Sequence, residues 1–166
     1  MVTHTSPAAD TRVVLDAIRG IVQALRTSSR RAERSTGISG TRLFMLQTLG
    51  EAAAMSLNEL AARTHTHQSS VSVVVSRLVA DGLVRRTRSP LDGRAVSLSL
   101  TGRGARLVEG GPDLAQRRLV DAVGQLPAAR RRLVAGTLGD LARALDVDER
   151  PAMFFESAPL RRTRPE

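Results

Sequence analysis

Residues 56–63 read Ser-Leu-Asn-Glu-Leu-Ala-Ala-Arg, and residues 64–82 read Thr-His-Thr-His-Gln-Ser-Ser-Val-Ser-Val-Val-Val-Ser-Arg-Leu-Val-Ala-Asp-Gly. Ser56 followed by Glu59 is the spacing of a capping box, in which each residue satisfies a backbone donor of the other's end of the first turn. Leu57, Leu60 and Ala61 then share one face of a short helix. Thr64-His65-Thr66 interrupts it, because these side chains are poor helix formers and bond readily to local backbone. A second helix is expected from about His67, with Thr66 or His67 near its cap. Val71, Val74, Val75, Leu78 and Val79 repeat at the spacing of a single buried stripe. Asp81-Gly82 ends it, glycine being the residue best suited to a left-handed cap.

A basic hairpin comes next. Leu83–Arg88 reads as one strand and Ala95–Leu100, alternating apolar and polar, as its partner. Ser89-Pro90-Leu91-Asp92-Gly93-Arg94 supplies the turn. Two short helices and an arginine-rich hairpin make a winged helix-turn-helix, a motif that sets one helix in a DNA major groove and the hairpin against the flanking backbone. The side of the second helix away from the valines carries His67, Gln68, Ser69, Ser70, Ser72, Val73, Ser76 and Arg77. Glutamine suits adenine, serine several bases, and an exposed valine the thymine methyl. Arg85, Arg86 and Arg88 on the hairpin suit phosphate, and Arg94 at its tip suits a narrow minor groove. A serine-rich helix face or an arginine cluster is, taken singly, commonly just solvated. Their succession here favours DNA.

The segment resembles the DNA-binding core of the multiple-antibiotic-resistance-regulator (MarR) family of bacterial transcription factors. The resemblance rests on Leu60-Ala61-Ala62-Arg63, Ser69-Ser70-Val71-Ser72, the run from Arg77 to Arg86, Asp92-Gly93-Arg94-Ala95, and Leu100-Thr101-Gly102-Arg103-Gly104. It extends over roughly residues 12–145. By that resemblance Asp92 orients Arg94 for the minor groove. One departure is clear: His65-Thr66-His67-Gln68 stands where the family usually has residues of the Gly-hydrophobic-Ser-Pro kind.

Around this core the chain divides into a flexible arm (1–10), a long helix for dimerisation (11–36), the winged helix-turn-helix (37–100), two further dimerisation helices (101–147) and a tail (148–166). The expected fold is mainly α with a small β-wing, about six helices and one β-hairpin. Thr11 to Leu25 repeats apolar residues at helical spacing, and the helix is expected to end near Gly37. Ser39 caps a helix running to Gly50, and Thr101 caps the next. Gly110-Gly111-Pro112 should kink or break that helix, since proline removes a donor and clashes with the preceding turn. Leu126-Pro127 opens the last one. In the family the first and last two helices of each subunit interleave into a two-fold dimer. A purely intramolecular bundle is the alternative.

The 166 residues carry 25 basic and 16 acidic side chains, a formal charge of +9, which suits a polyanionic partner. Every basic residue is Arg, with no Lys. With no Cys there is neither a disulfide framework nor a thiolate site nor a peroxide-sensing thiol. No signal pattern opens the chain and no apolar run suits a bilayer, so a cytoplasmic location and no membrane partner are expected. His65 and His67 stand two apart with His4 distant, short of the three or four ligands a metal needs. No phosphate loop, nucleophile elbow or nucleophile–base pair is present. The expectation is a non-enzyme without cofactor or metal.

The resemblance also implies a small aromatic or anionic effector bound between the dimer arm and the winged helix. Phe44, Met45 and Thr48 are candidate lining and Arg19 or Arg26 a candidate counter-charge, although all five serve equally well as core or surface. The leading function is a homodimeric repressor on a palindromic operator, released by that effector. The alternative is a DNA-organising protein without sequence preference, using the same wing. A protein-interaction module with a vestigial winged helix is a third.

Overall fold

The computed structural model describes residues 6–88 and 96–147, with Arg88 described by its backbone only. Helix α1 (Pro7–Thr36) starts four residues before the sequence pattern suggested, with Ser6 at its cap and proline in its first turn. It ends where expected, on Gly37 at φ 75°, whose N–H bonds back to Glu33 O. Helix α2 (Gly40–Leu49) follows Ser39 and is buried along most of its length. Strand β1 (Met55–Ser56) is an element the sequence did not announce; two residues are too short to show a period.

Helix α3 (Leu57–Arg63) carries the full capping box: Glu59 N donates to Ser56 Oγ at 3.2 Å and Ser56 N to Glu59 Oε2 at 2.6 Å. Helix α4 (Gln68–Ala80) then runs to Asp81. Strands β2 (Val84–Arg88) and β3 (Val96–Leu100) form the wing, and the sheet order is β1-β3-β2, antiparallel throughout. Thr101 caps helix α5 (Gly102–Glu109), accepting from Gly104 N. Gly110 to Leu114 breaks the chain as the proline demands, and helix α6 (Ala115–Gln125) is therefore separate. Helix α7 (Ala128–Ala144) starts just after Pro127, which sits at the cap rather than inside the first turn. The break at Pro112 raises the count to seven helices among the described residues.

One apolar core lies under the sheet and among α2, α3 and α4. Leu43, Phe44, Leu46, Leu60, Val71, Val74, Val75, Leu78, Val84 and Leu98 are all within 2% of complete burial. Each such side chain contributes about 1.5–3 kcal/mol by leaving water. Met55 faces Leu98 across the β1–β3 pair, and both are buried, so the short strand closes one edge of this core. Geometry calls for glycine at Gly82 and Gly104, as it does at Gly37. Gly82 has φ 68° at the exit from α4. A Cβ on Gly104 would lie 2.2 Å from Leu83 O, so only glycine lets α5 approach the start of the wing.

The outer helices are different. No residue of α7 is buried, and Leu133, Leu138 and Leu145 are 70%, 52% and 75% exposed. On the N-terminal half of α1, Val13, Val14, Leu15, Ile18 and Ile21 are likewise exposed. No helix among the described residues is long and apolar enough to cross a membrane.

Candidate nucleic-acid interface

Helix α4 is positioned from behind by the valine stripe and from both ends by its turns. At its start, Thr64 is buried and donates to Leu60 O at 2.7 Å, ending α3. His65 then adopts φ 50°, and Thr66 N closes the turn on Ala61 O at 3.0 Å. His67 caps α4 with extended backbone and no side-chain bond. The positive end of the helix dipole thus emerges beside exposed Gln68 and Ser69, where a phosphate is favoured. At the far end Leu83 N bonds to Leu78 O and Thr101 Oγ1 donates to Gly82 O at 2.8 Å. Arg42 pairs with the Asp81 carboxylate, and Arg103 Nη1 donates to Asp81 O at 3.2 Å. The helix is therefore tied to α2 and α5 at its C-terminus.

The outward side holds most of the sequence-predicted residues. His67, Gln68, Ser69, Val73, Ser76 and Arg77 are exposed and Ser72 half-buried, with Val73 at 48%. Ser70 is a correction: it is 5% exposed and belongs to the inner side. The helix is rolled so that the buried arc takes in Ser70, about 40° from Val74 at 100° per residue. At the other margin Val79 is left half-buried.

On the wing, register separates the arginines. Opposite residues of an antiparallel pair share a face and alternate residues change it. Arg86 faces Leu98 and shares its side of the sheet with Val84, both of these neighbours being buried. Arg85 and Thr87 pair with Ser99 and Ser97 on the other side. Arg86 Nη2 donates to Ser76 Oγ of α4 at 3.1 Å. Asp92 and Arg94, and the side chain of Arg88, lie outside the described residues.

The effector lining expected from resemblance is not formed within this chain. Phe44, Met45 and Thr48 are 2%, 2% and 3% exposed and are sealed by packing. Arg19 and Arg26 stand exposed on α1, Arg19 bonded to Asp16 at 2.7 Å. The cation that does reach this region is Arg117 of α6. Its guanidinium lies 5.7 Å from the Phe44 ring centroid, donates to Thr48 Oγ1 at 3.4 Å and pairs with Glu51, which also pairs with Arg63 at 3.5 Å. Nothing in the local pattern around Arg117 marks it for this role. A separate groove of about 410 Å³ opens where Ile38, Arg42, Asp81, Leu83, Arg103 and Leu107 meet. No group of three or more His, Asp or Glu side chains among the described residues is arranged to hold a metal.

Comparison with known proteins gives this arrangement its relatives. The model of the MarR family matches residues 36–95, from the end of α1 into the wing. The HTH-type transcriptional regulator Mb0904 of Mycobacterium bovis is 31% identical over 143 residues, covering 86% of this chain and 98% of the relative. The chain belongs to the MarR family. It is a DNA-binding transcriptional regulator of that family and not an enzyme.

Further proteins are similar to the chain. The HTH-type transcriptional repressor MdtR of Bacillus subtilis is 26% identical over 138 residues, covering 82% of this chain and 88% of its own. Among solved structures, Sco3205 from Streptomyces coelicolor, a MarR-family regulator in complex with DNA, has a TM-score of 0.59 at 23% identity. That match covers 88% of this chain and 93% of the neighbour. BpsR of Bordetella bronchiseptica, at 25% identity and a TM-score of 0.54, covers 78% of this chain and 92% of its own. The family match ends at residue 95, so α5, α6 and α7 are related through the full-length relatives and the shared fold.

Proposed function

We propose that this regulator is a homodimeric repressor that binds a palindromic operator and leaves it when a small anionic or aromatic effector binds. The observation that carries the dimer is α7, a helix of 17 residues with an apolar stripe and no buried residue. Helices gain most of their stability by burying an apolar face. Here the exposed leucines of α7 and the exposed aliphatic run of α1 find their cover in a second copy, which is the simplest closed arrangement. A two-fold pair then presents two α4 helices to half-sites about one DNA turn apart. Gln68, Ser69, Ser72 and Val73 read base edges in the major groove. His67 and Arg77 meet phosphates, with Arg86, Arg88 and Arg94 on the wing and Asp92 orienting Arg94.

Repression has its precedent in MdtR, a relative named as a repressor. The effector has its precedent in BpsR, whose DNA binding is regulated by 6-hydroxynicotinic acid. The groove at Arg42, Asp81 and Arg103 fits a small anion: Arg42 is held by the Asp81 carboxylate and Arg103 by the Asp81 carbonyl, with Leu83 and Leu107 as apolar wall. An anion there competes with Asp81 for Arg42 and so acts on the C-terminal tether of α4. It shifts DNA affinity only by favouring a dimer whose α4 spacing no longer fits the operator.

Sedimentation of the full chain tests the assembly, with Leu138→Arg as the control that should yield monomers. Competition binding tests the function. An operator recovered from genomic fragments should be preferred over random duplex by roughly 10³-fold or more at fixed salt. Equal affinity for both would favour the non-selective bridging protein instead.

A further inference from the structure

We infer that Ser76 is a positioning residue for Arg86 rather than a reader of bases, and that Arg86 and Arg85, adjacent in sequence, do different work. The inference rests on the proposed placement of α4 in the groove. Ser76 stands on the outward side of α4, where a hydroxyl invites assignment to base contact. Its one proton, however, is already directed at Ser72 O, 2.8 Å away within the helix. A hydroxyl has a single donor and two acceptor positions. With the donor engaged, Ser76 has none to offer a phosphate oxygen or the acceptor edge of a base. What it does accept is the N–H of Arg86 at 3.1 Å.

The partner's position is fixed independently, by strand register. Val84, Arg86, Leu98 and Leu100 share the face of the wing that packs on the protein body, of which Val84 and Leu98 are buried. Arg86 is the point at which that face leaves the core and passes the edge of α4. It has no carboxylate partner among the described residues, so no charge among them neutralises it. A guanidinium carries five N–H donors in a planar fork. Holding one edge of the fork against Ser76 leaves the rest directed along the outward side of α4, where the DNA backbone at the groove margin would run. Arg85, opposite Ser99, emerges from the other face of the strand. It adds charge to the surface without reaching that margin.

The two assignments make separable demands on one binding experiment. The probe is a duplex selected by the purified full-length protein from a random-sequence pool, titrated at several salt concentrations. Arg86→Gln should weaken binding roughly tenfold, as expected when a charged hydrogen bond is removed. It should also lower the salt slope by about one phosphate's share. Arg85→Gln should cost less than about threefold by the same measure. Ser76→Ala should weaken binding roughly threefold while the salt slope and selected base preference stay those of the parent. In an Arg86→Gln background the Ser76→Ala loss should disappear, and Ser76→Thr, which keeps the oxygen, should bind like the parent.

Additive losses in the double variant would overturn the positioning role, as would an altered base preference for Ser76→Ala. Equal losses for Arg85→Gln and Arg86→Gln would overturn the division of the strand. The underlying placement has its own control. Gln68→Ala should change the selected sequence, and if that variant and Arg86→Gln are both silent, α4 is not in the groove and both readings fall.

Discussion

At His65, as at Asp146, local preference and required geometry disagree. His65 holds φ 50° in the turn between α3 and α4, a region in which a side chain other than glycine is strained. His65→Gly should therefore raise stability by up to about 1 kcal/mol, read as a shifted urea midpoint with unchanged slope. A decrease would mean that the imidazole makes a contact worth more than the strain. Glu59, six residues earlier, has its carboxyl held below the ordinary glutamate range. The cause is first the backbone N–H of Ser56, then the Ser56 hydroxyl, then Arg63. A group whose folded pKa is depressed adds stability above its unfolded pKa and loses it as pH falls through the folded value. The difference in urea midpoint between parent and Glu59→Gln should therefore be present at neutral pH and close on acidification below the usual glutamate range. A difference independent of pH would assign the effect to shape rather than charge.

Outside the shared apolar core, helices α5 and α6 are fixed by a few close approaches. Helix α5 meets the start of the wing through Gly104, where an added Cβ would overlap the Leu83 carbonyl. Gly104→Ala should cost about 1–3 kcal/mol, as over-packing does, and should lower the thermal midpoint. Since Leu83 leads directly into β2, the same variant should disturb the wing's amide resonances before those of α1. Helix α6 is joined to α2 and α3 through Arg117, Glu51 and Arg63, with Arg117 also over the Phe44 ring. Exposed ion pairs alone contribute little. The packing of a guanidinium on an aromatic face adds about 0.5–1 kcal/mol, enough to bias the angle of α6 on the winged helix.

At the level of the whole molecule, a well-buried core sits beside helices that cover little of it. A chain with α7 exposed in this way should show stability that rises with protein concentration, because folding and association are linked. Thermal midpoints measured over a range of about a hundredfold in concentration should increase, and Leu138→Arg should abolish the increase. A midpoint that ignores concentration would leave α7 without a partner. The charge of +9 acts at the same scale. Affinity for any duplex should fall steeply with salt, in proportion to the phosphates contacted.

Much of this fold was legible in the chain because its signals are local. The capping box at Ser56 and Glu59, the valine stripe of α4, the left-handed glycine at 82 and the break at Pro112 depend only on near neighbours. The motif that these mark out was enough to indicate the family, and with it DNA binding. Packing decided what sequence spacing leaves open. The roll of α4 drew Ser70 inward and left Val79 at the margin, which a period of about 3.6 residues cannot fix without the surface it packs against. Strand register put Arg85 and Arg86 on opposite faces, and α6 brought Arg117 to Glu51 across 66 positions of chain. The region around Phe44, Met45 and Thr48 closed as core for the same reason. Which way a side chain points is set by whatever lies across from it, and in a folded chain that is seldom its neighbour in sequence.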